Sequence, residues 1–465
     1  MSSEIRVNKI ENRSGLGTVT FADTGVDLAG IVTATTFSGS GASLTALPAA
    51  QLSGTLPALS AASLTNVPAA NVVGVHTSLT VTNATTTGSA VVGGGVTISE
   101  SGIEASGIGI TCANINGTQI SGRRNLVING GMKVAQRGTV TNLLYNYSGP
   151  DRFRLTGDGN QRSTVSSDSI TVDSKGQSNA YKLDVTTASG SLSAGHYQMI
   201  SYRFEGQDLQ QLEKGTSNAK PVTLQFWVKS PKTGVHIVEL IDQSNSSRHI
   251  NKSYTVSSAN TWQKVVITFE GDTTGAITND NSRRFDLNFW LMAGSTWQSG
   301  SLQTSWGSDT NANRAVGQVN VVDSTSNDFY LTGVQLEVGS QATAFEHRSL
   351  AEELALCQRY YYKHVDGNGQ DIGVGMMYNT TLCAFSVKFP VSMRAGPTLD
   401  YVSSTDAYTI YRNATSDAFT SMGIVRSHTN SAAIDTSTGT SGNEGVGTIL
   451  ATNTSSGYIA FSSEL

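Results

Sequence analysis

A stretch of 72 residues, 28–99, contains no Asp, Glu, Lys or Arg, and His76 is its only ionisable side chain. An ordinary globular domain is about 25% charged. Disordered segments usually combine low hydrophobicity with high net charge, which this stretch lacks. No run of about 18 consecutive apolar residues exists, which excludes a membrane-spanning helix of the usual length. We therefore predict a fibrous segment that becomes ordered by sharing apolar stripes with copies of itself.

A short repeat lies inside this stretch. The segment ASLTALPAAQLSG (42–54) recurs as ASLTNVPAANVVG (62–74). Repeats of this kind usually form one structural unit stacked on its neighbours. The prolines exclude a continuous α-helix and restrict strands to edges and ends. Short strands and turns wound around partner chains satisfy both restrictions, and a flexible low-complexity linker is the alternative.

From Asn125 onwards the composition is that of a globular β protein, and all five Trp lie after this point. Several segments alternate apolar and polar residues and are bounded by Gly, Asn, Asp or Ser, which predicts strands. They are VTLQFWVKS (222–230), VHIVELI (235–241), WQKVVITFE (262–270), FDLNFWLM (285–292) and DFYLTGVQLEVG (328–339). Many short strands separated by turns indicate a β-sandwich or jelly roll.

One helix is predicted, over SLAEELALCQRYYY (349–362). Ser349 and Glu352 form a capping box, and the apolar residues after them share one face. This face packs on its own domain or, in a fibre, on copies of itself. The rest of the chain, 363–465, has the sequence pattern of short strands and polar loops, which predicts a separate small β domain.

Composition also limits the kinds of partner that we expect the chain to bind. The net charge of −5 is spread thinly, so we expect no nucleic-acid partner, which would need a basic patch. The three cysteines, Cys112, Cys357 and Cys383, are far apart and predict neither a disulfide framework nor a metal site. The seven histidines show no ligand spacing, and we expect no metal and no cofactor. The N-terminal segment has no apolar signal region, so we expect assembly in the cytoplasm rather than secretion, which favours a virus particle.

No catalytic motif is present: the chain has neither a phosphate-binding glycine loop nor HExxH, nor a nucleophile elbow with partners. Two acidic pairs, Glu239 with Asp242 and Glu205 with Asp208, are candidates for glycoside hydrolysis, which needs two carboxylates across a sugar. Solvated surface carboxylates are the simpler interpretation. We therefore predict that the protein is not an enzyme.

Two tryptophans, Trp297 and Trp306, lie in the polar, loop-like stretch GSTWQSGSLQTSWGSDTNANR. Exposed aromatic residues on loops often mark binding surfaces, and their flat faces suit sugar rings. These two residues are the glycan-binding residues that the sequence predicts. The alternative is that both rings plug the ends of the sandwich.

Two motifs resemble a known module. RRNLVINGGMKVAQRG (123–138) is similar to the opening, and VQLEVGSQATAFEHRSLAEELALCQRYYYK (334–363) to the end, of a module in tail fibres of marine and cyanobacterial phages. The N-terminal SSEIRVNKIENRSG also resembles the start of cyanophage tail-fibre proteins.

The resemblance implies an elongated homotrimeric fibre of all-β class. Residues 1–27 would attach to a tail or baseplate protein, 28–122 would form an intertwined shaft, and 123–348 a jelly roll similar to carbohydrate-binding modules. Residues 349–362 would be a connecting helix and 363–465 a receptor-binding β tip. The expected partner is a host surface polysaccharide or lipopolysaccharide, and the expected location is the tail fibre of the virion.

Two other functions compete with this hypothesis. A tail-spike depolymerase would cleave the surface polysaccharide, but it would need a long parallel β-helix and a carboxylate cluster, and residues 28–99 contain no acid. A bacterial adhesin or carbohydrate-binding module would need export, for which the sequence shows no signal. A structural attachment protein without membrane insertion fits the sequence best.

Overall fold

The computed structural model describes residues 123–171, 176–244, 246–436 and 439–465, and in the N-terminal part 9–11, 18–23, 25–29, 31–33, 35, 36 and 38. The chain divides into two units, Met1–Glu104 and Ala105–Leu465. The repeat at 42–74 and most of the predicted shaft lie outside the described residues.

The described part of the first unit is an antiparallel sheet of three strands, β1 (Lys9–Glu11), β2 (Thr18–Ala22) and β3 (Gly25–Ala29). Several large apolar side chains in and just after this sheet face solvent: Val26 is 55% exposed and Ile31 97%. Ile10, Leu28 and Val32 are exposed as well. Exposed apolar side chains at this density stabilise a fold only when another segment or another chain buries them.

The second unit begins with a β-sandwich. Its strands are β4 (Val140–Leu143), β5 (Asn146–Tyr147), β6 (Phe153–Asp158), β7 (Arg162–Ser169), β8 (Asn179–Thr187), β9 (Tyr197–Glu205), β10 (Val222–Lys229), β11 (Gly234–Asp242), β12 (Arg248–Val256), β13 (Gln263–Phe269), β14 (Arg283–Ala293), β15 (Gly307–Ser308) and β16 (Asp328–Val338). A six-stranded sheet has the order β13-β10-β16-β8-β7-β4, and a seven-stranded sheet the order β15-β12-β11-β14-β9-β6-β5. The helical segments here are short: 3₁₀ turns at Gly206–Leu212 and Asn311–Asn313, and α1 (Ser295–Gln298).

The antiparallel sandwich confirms the predicted fold class, an all-β chain with jelly-roll character. Leu224, Phe226 and Val228 of β10 are fully buried between the sheets, because alternate side chains of a strand point to the same face. In the opposite, seven-stranded sheet the same alternation directs Leu240 of β11 and Leu287 of β14 into this core. All five predicted strand segments are strands in the structure.

The two motifs that resemble phage fibre modules are joined in space. Asn125 donates through Nδ2 to the main-chain oxygen of Val334 at 3.1 Å, and its Oδ1 accepts from the main-chain nitrogen of Leu336, also at 3.1 Å. The main-chain oxygen of Asn125 accepts from Nη2 of Arg348 at 2.7 Å. Residues more than 200 positions apart therefore close the sandwich.

The predicted helix is α2 (Leu350–Gln358), and its capping box is confirmed: the Ser349 side chain accepts from the main-chain nitrogen of Glu352, whose carboxylate accepts from that of Ser349. The helix is shorter than predicted. Tyr361 and Tyr362 pair with a later strand instead of continuing the helix, because the sheet satisfies their main-chain groups. Cys357 is fully buried against the sandwich, whereas Leu350 at the start of the face is 60% exposed.

After the helix come two further antiparallel sheets. Their strands are β17 (Tyr361–Asp366), β18 (Asp371–Met377), β19 (Cys383–Lys388), β20 (Thr398–Tyr401), β21 (Tyr408–Arg412), β22 (Thr415–Phe419), β23 (Met422–His428), β24 (Ser431–Thr436), β25 (Gly447–Thr452) and β26 (Tyr458–Ser462). The orders are β17-β26-β20 and β22-β21-β25-β18-β19-β24-β23. Both sheets contribute to one core, for example Phe461 from the first and Ile410 from the second. The C-terminal region thus has a core of its own.

This region is nevertheless tied to the sandwich by the residues after β26. Glu464 accepts from Nη1 of Arg152 at 2.5 Å and from Nη1 of Arg137 at 3.2 Å. Arg394 donates to the main-chain oxygens of Ser463 and Glu464, at 2.6 and 3.1 Å. Arginine side chains from both parts of the second unit therefore hold the same short segment.

Candidate functional site

Trp297 lies on the outer face of the seven-stranded sheet and is half-buried. Its ring centroid is 5.0 Å from that of Tyr197 and 5.9 Å from that of Trp290. Its indole Nε1 donates to the main-chain oxygen of Gly195 at 2.9 Å. The polar atom of this ring is thus used within the protein, and only part of the ring surface faces solvent.

Trp306 lies in a different cluster. It packs against the sandwich core, with its ring centroid 5.6 Å from that of Phe285. Its Nε1 donates to the main-chain oxygen of Glu270 at 2.7 Å. The structure therefore does not bring the two predicted residues together in one aromatic cluster, and their role in glycan binding stays a prediction.

A buried ion pair lies behind Trp297. Arg314 donates to both carboxylate oxygens of Glu239 at 2.7 Å, and Asn288 donates to the same carboxylate at 2.7 Å. Although burial opposes ionisation, Arg314 and these hydrogen bonds hold the pKa of Glu239 below its usual value. Arg314 in turn lies 5.4 Å from the ring centroids of Trp290 and Trp297. The ion pair therefore lies against the ring of Trp297, which belongs to α1 and not to a loop as the sequence predicted.

The other acidic residues of the two candidate pairs are likewise engaged. Glu205, Glu239 and Asp242 are fully buried, so their interpretation as solvated surface carboxylates is wrong. Asp242 pairs with Lys214 at 2.7 Å, and Asp208 pairs with Arg123 at 3.2 Å. Glu205 accepts from Arg359 at 2.7 and 2.8 Å and from the Tyr360 hydroxyl at 2.5 Å. Carboxylates held in this way support the fold, since a proton donor or nucleophile needs access to the substrate.

The outer face of the six-stranded sheet carries an aromatic group that is not among the residues predicted from the sequence. On β10, Gln225, Trp227 and Lys229 alternate with the buried core residues and point away from them. Trp227 pairs across the sheet with Lys264 of β13 and with Thr332 of β16. Trp227 is half-buried, so part of its surface is available on this face.

A bulge in β16 shapes the surface beside Trp227. Gln225 pairs with Gln335 and Trp227 with Thr332, so the register shifts around Gly333. Gly333 has φ of +60°, and a Cβ there would stand 3.2 Å from Cδ1 of Trp227. Glycine at this position keeps open the space next to the indole ring.

This space is a cavity of about 240 Å³, which we call the Trp227 pocket. It is lined by Gly176, Gln177, Gln225, Trp227, Lys264, Gly333, Ala344, Phe345 and His347. A cavity this size is much larger than the share of about 30 Å³ that one water takes in the liquid. It has room for a ligand of the size of one sugar ring.

Gln177 is the distinctive residue of the pocket. It is only 1% exposed, and among the described residues neither its Oε1 nor its Nε2 has a hydrogen-bond partner. A buried polar group without a partner costs about 1–3 kcal/mol. The pocket wall therefore holds one donor and one acceptor that have no partner among the described residues.

A second aromatic group extends the face along β16. Tyr330 pairs with Lys229, whose Nζ lies 3.8 Å from the tyrosine ring centroid. Trp262 lies at the start of β13, with its ring centroid 6.1 Å from that of Tyr330. Aromatic rings, lysines and glutamine side chains thus alternate over several strands of one sheet face.

The sequence contained a signal for this face. In VTLQFWVKS the core positions are Val222, Leu224, Phe226 and Val228, so period-2 alternation places Trp227 on the polar side. A large apolar ring on the strand face that otherwise carries polar side chains indicates a binding surface. Gln177, in contrast, carries no such signal, because it reaches the pocket from the segment between β7 and β8.

The described residues contain no cluster of three or more His, Cys, Asp and Glu that could hold a metal ion. Cys357 and Cys383 are free and buried. Among the described residues, no helix has the length and hydropathy needed to cross a membrane.

No family model and no curated protein matches this chain. Solved structures give low-scoring matches. A domain of tailspike protein 4 of bacteriophage CBA120, described as enzymatically active, matches with a TM-score of 0.25 and 13% identity, over 46% of this chain and 21% of that one. A carbohydrate-binding module solved with β-1,4-galactotriose matches with a TM-score of 0.24 and 11% identity, over 46% of this chain and 99% of that one.

The family 11 carbohydrate-binding module of a Clostridium thermocellum cellulase matches with a TM-score of 0.22 and 13% identity, over 44% of this chain and 98% of that one. This chain therefore covers about a fifth of the tailspike structure but nearly all of the two modules. TM-scores this low do not decide the function, which rests on the residues described above.

Proposed function

We propose that this chain is a non-enzymatic, trimeric phage tail fibre that attaches to a glycan on the host cell surface, and that its sandwich binds the sugar in the Trp227 pocket. One observation carries the proposal: the unpartnered, buried amide of Gln177 lines the same cavity as the half-buried ring of Trp227. An aromatic face with a few fixed polar groups is the usual composition of a small-molecule site.

The ring and the amide suit a sugar for different reasons. The C–H face of a pyranose can lie on the indole of Trp227, while the Gln177 amide can donate to one hydroxyl and accept from another. Each site of this kind is weak by itself. Three copies in one fibre would multiply the avidity without any new contact.

Assembly into a trimer is supported by the first unit. Its exposed apolar side chains, such as Ile31 and Val26, precede or enter the charge-free stretch 28–99. Copies of the chain would cover these side chains. In this proposal the N-terminus joins a tail or baseplate protein, the host polysaccharide or lipopolysaccharide is the receptor, and the fibre assembles in the host cytoplasm.

The test of glycan binding is an affinity measurement on immobilised host polysaccharide with the full chain. Trp227→Ala should weaken binding at least tenfold, because a stacked aromatic contact is lost. Tyr145→Ala is the matched control, since Tyr145 is 61% exposed in the same sandwich and lies outside the pocket. Equal affinity of the Trp227→Ala variant and the wild type would contradict the proposed site.

Two further measurements test the other parts of the proposal. Light scattering should give three times the chain mass, and a monomer would contradict the trimeric fibre. Incubation with host polysaccharide should release no new reducing ends or unsaturated sugars. Turnover that a single Asp or Glu substitution abolishes would favour the depolymerase instead.

A further inference from the structure

The ionisable side chains that line the Trp227 pocket are basic. Its lining includes Lys264 and His347 and, among the described residues, no Asp or Glu. Both side chains are exposed. A carboxylate can only accept from a sugar hydroxyl, whereas this lining offers the ammonium donor of Lys264, an imidazole and glutamine amides.

The other lysines of the same sheet face are already occupied. Lys182 pairs with Asp328 at 3.2 Å, and Lys229 lies over the Tyr330 ring. Lys264 has no carboxylate within 4.0 Å among the described residues. Its ammonium group is therefore available to a ligand that lies on Trp227, its cross-strand neighbour.

The nearby carboxylates of Glu337 and Glu346 do not line the pocket. Glu337 accepts from the main-chain nitrogen and the hydroxyl of Thr343, at 2.7 and 2.6 Å, and from Gln335 at 2.9 Å. Glu346 accepts from the main-chain nitrogen of Asn125 at 2.5 Å. Both carboxylates are fixed by the loop that follows β16, and neither lines the cavity.

From these observations we infer that the Trp227 pocket selects an acidic sugar, one whose ring lies on Trp227 and whose anionic group is bound by Lys264, with His347 as a further donor. This inference rests on the proposed glycan-binding function and specifies its ligand class. The anionic group is a carboxylate, as in uronic acids, or a sulfate, since an ammonium group binds either one.

The experiment measures binding of the full chain to glycans that differ only in charge. Polygalacturonate, alginate and hyaluronan are each compared with their carboxyl-reduced forms, and dextran sulfate is compared with dextran. At least one acidic glycan should bind about three- to tenfold more tightly than its neutral form at low salt, and added NaCl should remove the difference. The pair that shows the difference identifies carboxylate or sulfate.

Lys264→Gln should remove this preference for the acidic form. Lys388→Gln, at an exposed lysine of β19, is the matched control and should keep the preference. Equal binding of charged and neutral forms, or a preference that survives Lys264→Gln, would overturn the inference but not glycan binding. Absence of binding both to this panel and to the host polysaccharide would contradict the proposed function itself.

Discussion

The main-chain nitrogen of Asn129 donates to Oε1 of Glu353 at 2.5 Å. The donor lies at the start of the sandwich and the acceptor in helix α2, 224 positions later. The side chain of Asn129 also donates to the main-chain oxygens of Val134 and Asp151, at 2.8 and 3.0 Å. The opening loop is therefore held by partners that arrive at the end of the domain.

The residue after Asn129 offers a direct test of this closure. A Cβ on Gly130 would lie 2.0 Å from the main-chain oxygen of Val334, which cannot move without breaking β16. Gly130→Ala should therefore lower the free energy of unfolding by about 3 kcal/mol or more. Gly195→Ala is the control, because nothing lies within 4 Å of its Cβ position. Equal midpoints of thermal denaturation for both variants would show that the opening loop does not close the sandwich.

A substitution at Gln177 should separate binding from stability. Gln177→Leu keeps the size of the side chain and removes its two unpartnered polar atoms. We expect the free energy of unfolding to rise by about 1 kcal/mol, because an unsatisfied buried amide is lost. Glycan affinity should fall at least fivefold in the same variant, measured by calorimetry. A variant that is less stable yet binds normally would mean that the amide has no ligand role.

Alanine substitutions distinguish the two interpretations of Trp297 and Trp306. Both indole groups donate to main-chain oxygens and pack on other aromatic rings, so Trp297→Ala and Trp306→Ala should each lower the free energy of unfolding by about 2 kcal/mol. Chemical denaturation measures this loss, and glycan affinity is measured beside it. Weaker binding at unchanged stability would support the glycan-binding role that the sequence predicts.

The pKa of Asp151 in the folded protein predicts that the stability depends on pH. Burial raises the pKa of this carboxyl from its usual 3.8 to about 6, although Arg137 and Gln136 act in the opposite direction. The folded protein keeps this proton at pH values where the unfolded chain has lost it. The contribution of Asp151 to stability is therefore complete below its unfolded pKa of 3.8 and is lost as the pH rises through about 6.

The matched variant is Asp151→Asn, which cannot ionise. Between pH 4 and 7 the wild type should lose more free energy of unfolding than the variant, by an amount on the order of 2–3 kcal/mol. Urea denaturation at both pH values measures the difference. Identical changes in the two proteins would show that Asp151 is already ionised in the folded state at pH 4.

Much of the fold could be predicted from patterns among residues that are neighbours along the chain. Alternation in segments such as 222–230 and 285–292 predicted strands that the structure contains, because one face of each strand must be buried. The capping box at Ser349 predicted where the helix begins. Its end was predicted too late, since pairing of Tyr361 with Ser462 depends on a strand about 100 residues further along the chain.

The sequence by itself determined the strands, the helix start and the contrast between the charge-free stretch and the β-rich remainder, since these depend on composition and on neighbours along the chain. Only the tertiary structure decided where a ligand can bind. Trp227, Lys264 and Gln177 come from β10, β13 and the segment before β8, and strand pairing and a bulge at Gly333 bring them to one cavity. Because the order of strands in the sheet joins strands that are distant along the chain, no local sequence pattern predicts this cavity.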